Sequence, residues 1–355
     1  MHTGSRAARD GRGDTEPSSP ACRARQGVTA PVQTRPMTNA LLALQPVPGP
    51  PPGRPDPRQM AAFVLAGGSP FGLVDRPNWF SFSSLDSFER CPRQYALRYL
   101  CRVPPDQPRP AAEFGSAAHA AFEAFTRGRR ERLARGEPPP GRADLEGWFE
   151  AAWAATSLPA GPDAEAWRLR AGPMLDRFWA AESAEPGDTL AEELRFRLRL
   201  PLDPLMLVVV GGIIDRVDRL PSGAVELIDY KTGAGGLAEE AEPGLQLSIY
   251  ALASRDALGW GRPERVTLYY VEGGRRLSSG RADAALNALR GDLARRARRI
   301  RGGDFAPTPS LRSCGRCDFA AMCPAKAQIE TTPCGPATQP AEAAVPDRGP
   351  APPLD

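Results

Sequence analysis

Histidine is nearly absent from this chain: 355 residues carry only His2 and His119. His2 falls in a tail of disordered composition, so His119 is the one imidazole expected in a folded site. Long apolar runs are missing as well; none approaches the roughly 18–20 residues that a membrane helix needs. The N-terminus is polar and Arg-rich without a sustained apolar stretch, which argues against a secretory signal. These absences lead to the expectation of a cytoplasmic protein with no membrane partner. No G-x-x-x-x-G-K-[ST] occurs, so the chain has no Walker A phosphate loop of its own. Net charge is only +3, with arginine far outnumbering lysine, so any basic surface must be local.

What is present suffices for one large domain or two small ones, at 41% hydrophobic and 25% charged residues. Residues 1 to about 75 are rich in Pro, Gly, Arg and Ser with little periodicity, and are expected to stay unstructured. The tail of residues 331–355 has the same character, which leaves 76–330 as the folded region. Within it, helical spacing marks 83–100, interrupted at Cys91-Pro92, then 111–127, about 144–156 and 164–182. The period then changes to two. Residues 193–200 (ELRFRLRL) alternate, 206–219 read as a buried strand, and 224–231 as a third strand beyond a Pro221-Ser222-Gly223 turn. A helix at 245–254, a strand at 266–271 and an Arg-rich helix over 282–301 complete the expected order.

Seven cysteines in a reducing compartment argue against a disulfide framework. Cys314, Cys317 and Cys323 form C-x₂-C-x₅-C, a metal-binding spacing that still needs a fourth thiolate for a tetrahedral zinc or a [4Fe–4S] cluster. Cys91 is the candidate and Cys101 its competitor. Cys22 and Cys334 look like bystanders.

The chemistry concentrates on Asp229 and Lys231, two apart on one strand and so on one face. Asp215 belongs to the preceding antiparallel strand. Two carboxylates brought together repel unless a cation sits between them, and hard oxygen ligands suit Mg²⁺ or Mn²⁺. A surface strand whose Asp and Lys simply pair is the plain alternative for an isolated D-x-K. His119 is otherwise a core histidine on an Ala-rich helix, Tyr250 a packing residue, Asp218 an exposed-looking charge paired with Arg216 or Arg219, and Glu193 a strand-start charge. The arginines at 275, 276, 281, 290 and 295–301 read either as a phosphate-binding surface or as a solvated helix face. Trp79, Phe80 and Phe82 either stack on bases or pack the first helix.

Taken in order, Gly115…His119, Gly212-Ile213-Ile214-Asp215, Leu227-Ile228-Asp229-Tyr230-Lys231 and Gln246…Tyr250 resemble the RecB/AddB-like branch of the PD-(D/E)XK nucleases. The resemblance covers roughly residues 79–325. It implies an α/β fold of the restriction-endonuclease type, a mixed central sheet flanked by helices. It implies Asp215, Asp229 and His119 as ligands of Mg²⁺ or Mn²⁺, Lys231 as the catalytic lysine, and Gln246 and Tyr250 at the site. The expected activity is metal-assisted phosphodiester hydrolysis on DNA with a single-stranded end, as an exonuclease in repair or recombination. The Cys-Pro-x-x-Tyr context of Cys91 further resembles AddB-like members, which implies a [4Fe–4S] cluster on Cys91, Cys314, Cys317 and Cys323. Zinc is the lesser alternative. The cluster would clasp the first helix to the C-terminal region. Lacking a motor of its own, such a chain acts alone or with a separate helicase subunit. A non-catalytic DNA-binding subunit of a helicase–nuclease complex and a CRISPR-adaptation nuclease are the rival readings.

Overall fold

A computed structural model describes residues 55–105, 109–158, 161–233 and 244–330. The chain starts its ordered path earlier than composition suggests. Asp56 accepts hydrogen bonds from the backbone N–H groups of Arg58 (2.8 Å) and Gln59 (3.2 Å). With Pro57 at the first helical position, this cap starts α1 (Pro57–Leu65), which buries Met60, Ala61 and Val64. The expectation of an unstructured segment reaching residue 75 is therefore corrected over 57–65: three apolar residues on one helical face outweigh the surrounding Pro and Gly. Residues 1–54 and 331–355, including Cys22 and Cys334, lie outside the described residues.

A two-residue strand, β1 (Trp79–Phe80), precedes α2 (Phe82–Arg90). Ser81 caps α2 in a reciprocal box with Ser84. Cys91-Pro92 breaks the helix as expected, and α3 (Pro92–Tyr95) follows. Three longer helices come next: α4 (Pro110–Ala134), α5 (Arg142–Ala154) and α6 (Pro162–Ala184).

The sheet is built on a long hairpin of β2 (Asp188–Asp203) and β3 (Met206–Arg219). Gly223, at φ +84°, makes the turn into β4 (Val225–Lys231). β4 pairs antiparallel with β3 only over the far end of β3, Arg216↔Ile228 to Arg219↔Val225. At the other end of β3, β1 joins in parallel at Val209 and Val210. β4 and β3 thus separate at Asp229 and Asp215. The helix α7 (Leu245–Asp256) carries the chain over to β5 (Arg265–Tyr270), parallel to β4, and β6 (Arg275–Ser279) closes the sheet. The result is a six-stranded mixed sheet in the order β1-β3-β4-β5-β6, with β2 also on β3. β1 and β6 are the two strands the sequence reading misses. They are short, and β6 (RRLSS) lacks an apolar alternation to announce it.

α8 (Asp283–Gly302), α9 (Leu311–Cys314) and α10 (Ala327–Glu330) complete the chain. One apolar cluster joins α1, α2, α7 and α8 to the sheet; a second joins α4, α5 and α6 to Ile228, Tyr230 and Tyr269. Among the described residues, no helix is long and apolar enough to cross a membrane.

Candidate active site

The separation of β3 from β4 leaves a cleft, and the predicted residues converge on it. Asp229 is buried near the end of β4, and its Oδ1 accepts hydrogen bonds from Gln246 Nε2 (2.7 Å) and Tyr250 OH (3.2 Å). Gln246 Oε1 in turn accepts from Lys231 Nζ at 2.9 Å. Positions i and i+4 of α7 present both side chains on one helical face. Lys231 Nζ also pairs with Asp229 Oδ2 at 2.6 Å.

Asp215 is held from the other strand. Its Oδ2 accepts the backbone N–H of Tyr230 at 2.7 Å and lies 3.4 Å from His119 Nδ1. His119, Glu193 and Asp215 each offer a ligand atom within 4.8 Å of the others, the one such group among the described residues. Asp229 completes the expected carboxylate pair but is drawn toward Lys231 and Gln246 instead of joining that trio. The ligand set read from the motifs therefore gains Glu193. Its backbone is left-handed, at φ +47°, a conformation that costs a non-glycine residue about 1–3 kcal/mol. Neighbouring pairs Glu192↔Arg216 and Leu194↔Ile214 put Glu193 opposite Asp215. A positive φ cannot be read from the alternation ELRFRLRL, so the sequence gives no signal for this residue beyond its charge.

The protonation pattern follows from this crowding. Burial pushes the Glu193 carboxyl up to about 7, with the charges of Asp215 and Glu123 adding to it. Burial raises Asp229 as well, against the counter-pull of Lys231. For His119, burial favours the neutral ring, but the hydrogen bond and charge of Asp215, with Asp229 and Glu193 behind it, win and raise its pKa. The site holds an excess of negative charge. A divalent cation fits the donor set: two or three carboxylates and one imidazole.

Asp218, expected to be exposed, is buried and belongs to a structural network. Arg216 donates to both of its oxygens (2.7 and 2.6 Å), and Arg216 also meets Glu182 at 2.7 Å and Tyr230 OH at 3.3 Å. Most of the C-terminal arginines are likewise engaged. Arg281 is buried against Ser248 and Ser279, and Arg276 covers the Tyr269 ring. Arg290 pairs with Asp256, Arg295 and Arg296 with Asp292, and Arg299 with Glu89. Arg290 and Arg299 thereby tie α8 to neighbouring helices, while Arg295 and Arg296 pair within it.

The four cysteines also converge. Cys91, Cys314, Cys317 and Cys323 line one pocket together with Arg93 and Lys326. Burial, then the neighbouring thiols, raise the Cys317 pKa, against a backbone hydrogen bond from Phe319 that lowers it. Cys101 sits in the apolar core instead. Arg93 Nε is buried in the described structure without a hydrogen-bond acceptor. A guanidinium N–H left in that state beside four thiols suits an anionic sulfur-bound group.

A family model described as the PD-(D/E)XK nuclease superfamily matches residues 79–324. The chain belongs to this superfamily, whose members are usually metal-dependent nucleases, and its mixed sheet with flanking helices is the restriction-endonuclease-like fold. No curated protein matches the chain. Among solved structures, one described as the crystal structure of SSO0001 is similar at 14% identity, with a TM-score of 0.35 over 76% of this chain and 96% of that one.

Proposed function

We propose that this protein is a Mg²⁺- or Mn²⁺-dependent deoxyribonuclease of the RecB/AddB-like branch, an exonuclease serving DNA repair or recombination in the cytoplasm. The convergence of His119, Glu193 and Asp215 beside the Asp229–Lys231–Gln246 chain carries the reading. His119, Asp215 and Asp229 would hold the metal, with Glu193 as a further ligand. A bound divalent ion would supply Lewis acidity and charge neutralisation for attack on a phosphodiester.

The chain's own residues do the positioning. Gln246 holds Lys231 Nζ at 2.9 Å and Asp229 Oδ1 at 2.7 Å at once. It thereby fixes a cation beside the carboxylates, where negative charge develops on a phosphate oxygen. Tyr250 fixes the other side of Asp229. The Tyr230 N–H holds Asp215 Oδ2 and so orients that carboxylate.

The Cys91, Cys314, Cys317 and Cys323 pocket is read as the seat of a [4Fe–4S] cluster. DNA with a single-stranded end is the proposed substrate, and a separate helicase the proposed partner.

Anaerobically purified protein, incubated with single- and double-stranded DNA labelled at either end, tests the activity and its polarity. Degradation that needs Mg²⁺ or Mn²⁺ and vanishes in Asp229→Ala and Lys231→Ala supports the assignment; degradation surviving both substitutions sinks it. Iron, sulfide and zinc analysis with a visible spectrum decides the cysteine site: a colourless, zinc-loaded protein overturns the cluster.

A further inference from the structure

The half of the β2–β3 ribbon nearest β1 has one face in the core and one uncovered. Phe196, Leu198 and Leu200 are buried, while Arg195, Arg197 and Arg199 between them are exposed. Among the described residues these three side chains make no ion pair, unlike the arginines of α8. Residues two apart on a strand project about 6.7 Å from each other, close to the spacing of phosphates along an extended single strand. The ladder therefore presents three unpaired guanidinium groups at a matching interval.

Their cross-strand partners on β3 are Ile213, Gly211 and Val209. Ile213 lines the same pocket as His119, Glu193 and Asp215. The arginine ladder thus begins at the candidate active site and leads away from it. Trp79 of β1 lies against Gly211: a Cβ there would come within 2.1 Å of the indole ring. The glycine is what lets the ring lie down on the sheet. Trp79 remains 48% exposed, and the Arg197 guanidinium stands 5.6 Å from its ring centroid. A large aromatic face open to solvent beside alternating cations is the arrangement that binds single strands, with bases stacked and phosphates paired.

We propose that Arg195, Arg197, Arg199 and Trp79 form a track that holds single-stranded DNA and delivers its end to the cleft. This rests on the nuclease reading above and adds to it the route of the strand. Trp79 takes one base on its ring, and the arginines take successive phosphates.

The test measures binding of a fluorescent oligothymidine by anisotropy in the full-length Asp229→Asn protein without divalent metal, across a salt series. Substituting all three arginines by serine should weaken binding at least tenfold at about 50 mM salt and shallow the log–log salt slope by about two. Trp79→Ala should weaken binding about five- to hundredfold and leave the slope unchanged. The parent protein with 5-iodouracil oligonucleotides should cross-link at Trp79 on irradiation, a readout that does not depend on how the variants fold. Unchanged affinity and slope in folded variants, or cross-links confined to another surface, overturn the track while leaving cleavage by the wild-type enzyme intact. Equal affinity for blunt duplex, lost in the same variants, overturns the single-strand assignment. Failure of the parent protein to bind any polynucleotide removes the nuclease reading and the track together.

Discussion

Arg216 and Glu182 meet at 2.7 Å with side chains 1% and 0% exposed, one strand and one helix joined by an ion pair out of reach of water. Glu182 also receives Arg129 at 2.9 Å, and Arg216 is balanced by Asp218 at 2.6 Å. Removing one partner strands the rest. Glu182→Ala is expected to destabilise the protein by about 3–5 kcal/mol, read as a lowered midpoint in urea unfolding. A loss below about 1 kcal/mol would mean that the network is hydrated.

Gln246 is expected to act by positioning. Gln246→Ala should lower kcat about 10–100-fold with little change in KM for DNA, in line with the loss of a group orienting metal ligands. Gln246→Glu keeps an acceptor for Lys231 but loses the N–H donated to Asp229, so it should not rescue. A change confined to KM would count against this role.

Metal affinity should climb with pH. Glu193, with its pKa pushed up to about 7, and His119, with its pKa raised, both carry protons that a metal must displace. Each displaced proton makes affinity rise about tenfold per pH unit below the group's pKa. Mn²⁺ titration calorimetry at about pH 6, 7 and 8 should show the rise, and Glu193→Gln should flatten it. Metal-free stability runs the other way. A carboxyl raised in the folded state contributes stability below its ordinary value near 4.5 that is lost as pH rises through about 7.

The cysteine pocket should bear on stability more than on cleavage chemistry. Cys91→Ser is expected to lower the anaerobic melting temperature by several degrees and to bleach the visible absorption. Degradation of end-labelled DNA by the variant at low temperature should persist. Complete loss of cleavage in a folded variant would instead tie the thiols to DNA engagement.

Much of this fold is written in local patterns. Period-two alternation announces β2, the turn chemistry of Pro221-Ser222-Gly223 separates β3 from β4, and Gln246 and Tyr250 lie beside Asp229 and Lys231 as the family resemblance implies. The failures share a physical origin in contacts between distant segments. Glu193 becomes a site residue through a positive φ. Asp218 is buried because α6 brings Glu182 down on Arg216. Arg290 and Arg299 of α8 are taken up by Asp256 and Glu89, partners on other helices that charge counting cannot assign. α1 is ordered by burial against the rest of the core, although its flanks have the composition of a disordered segment.

The order in which the two centres become complete follows from where their residues lie. Every side chain of the cleft, from His119 to Tyr250, is present once α7 has been synthesised, whereas the thiol pocket must wait for Cys314, Cys317 and Cys323 to join Cys91. A chain interrupted between these points would carry every side chain of the cleft and only one of the pocket's four thiols. The cleft thus depends on residues 119–250 alone, and the thiol pocket on a segment that reaches Cys323.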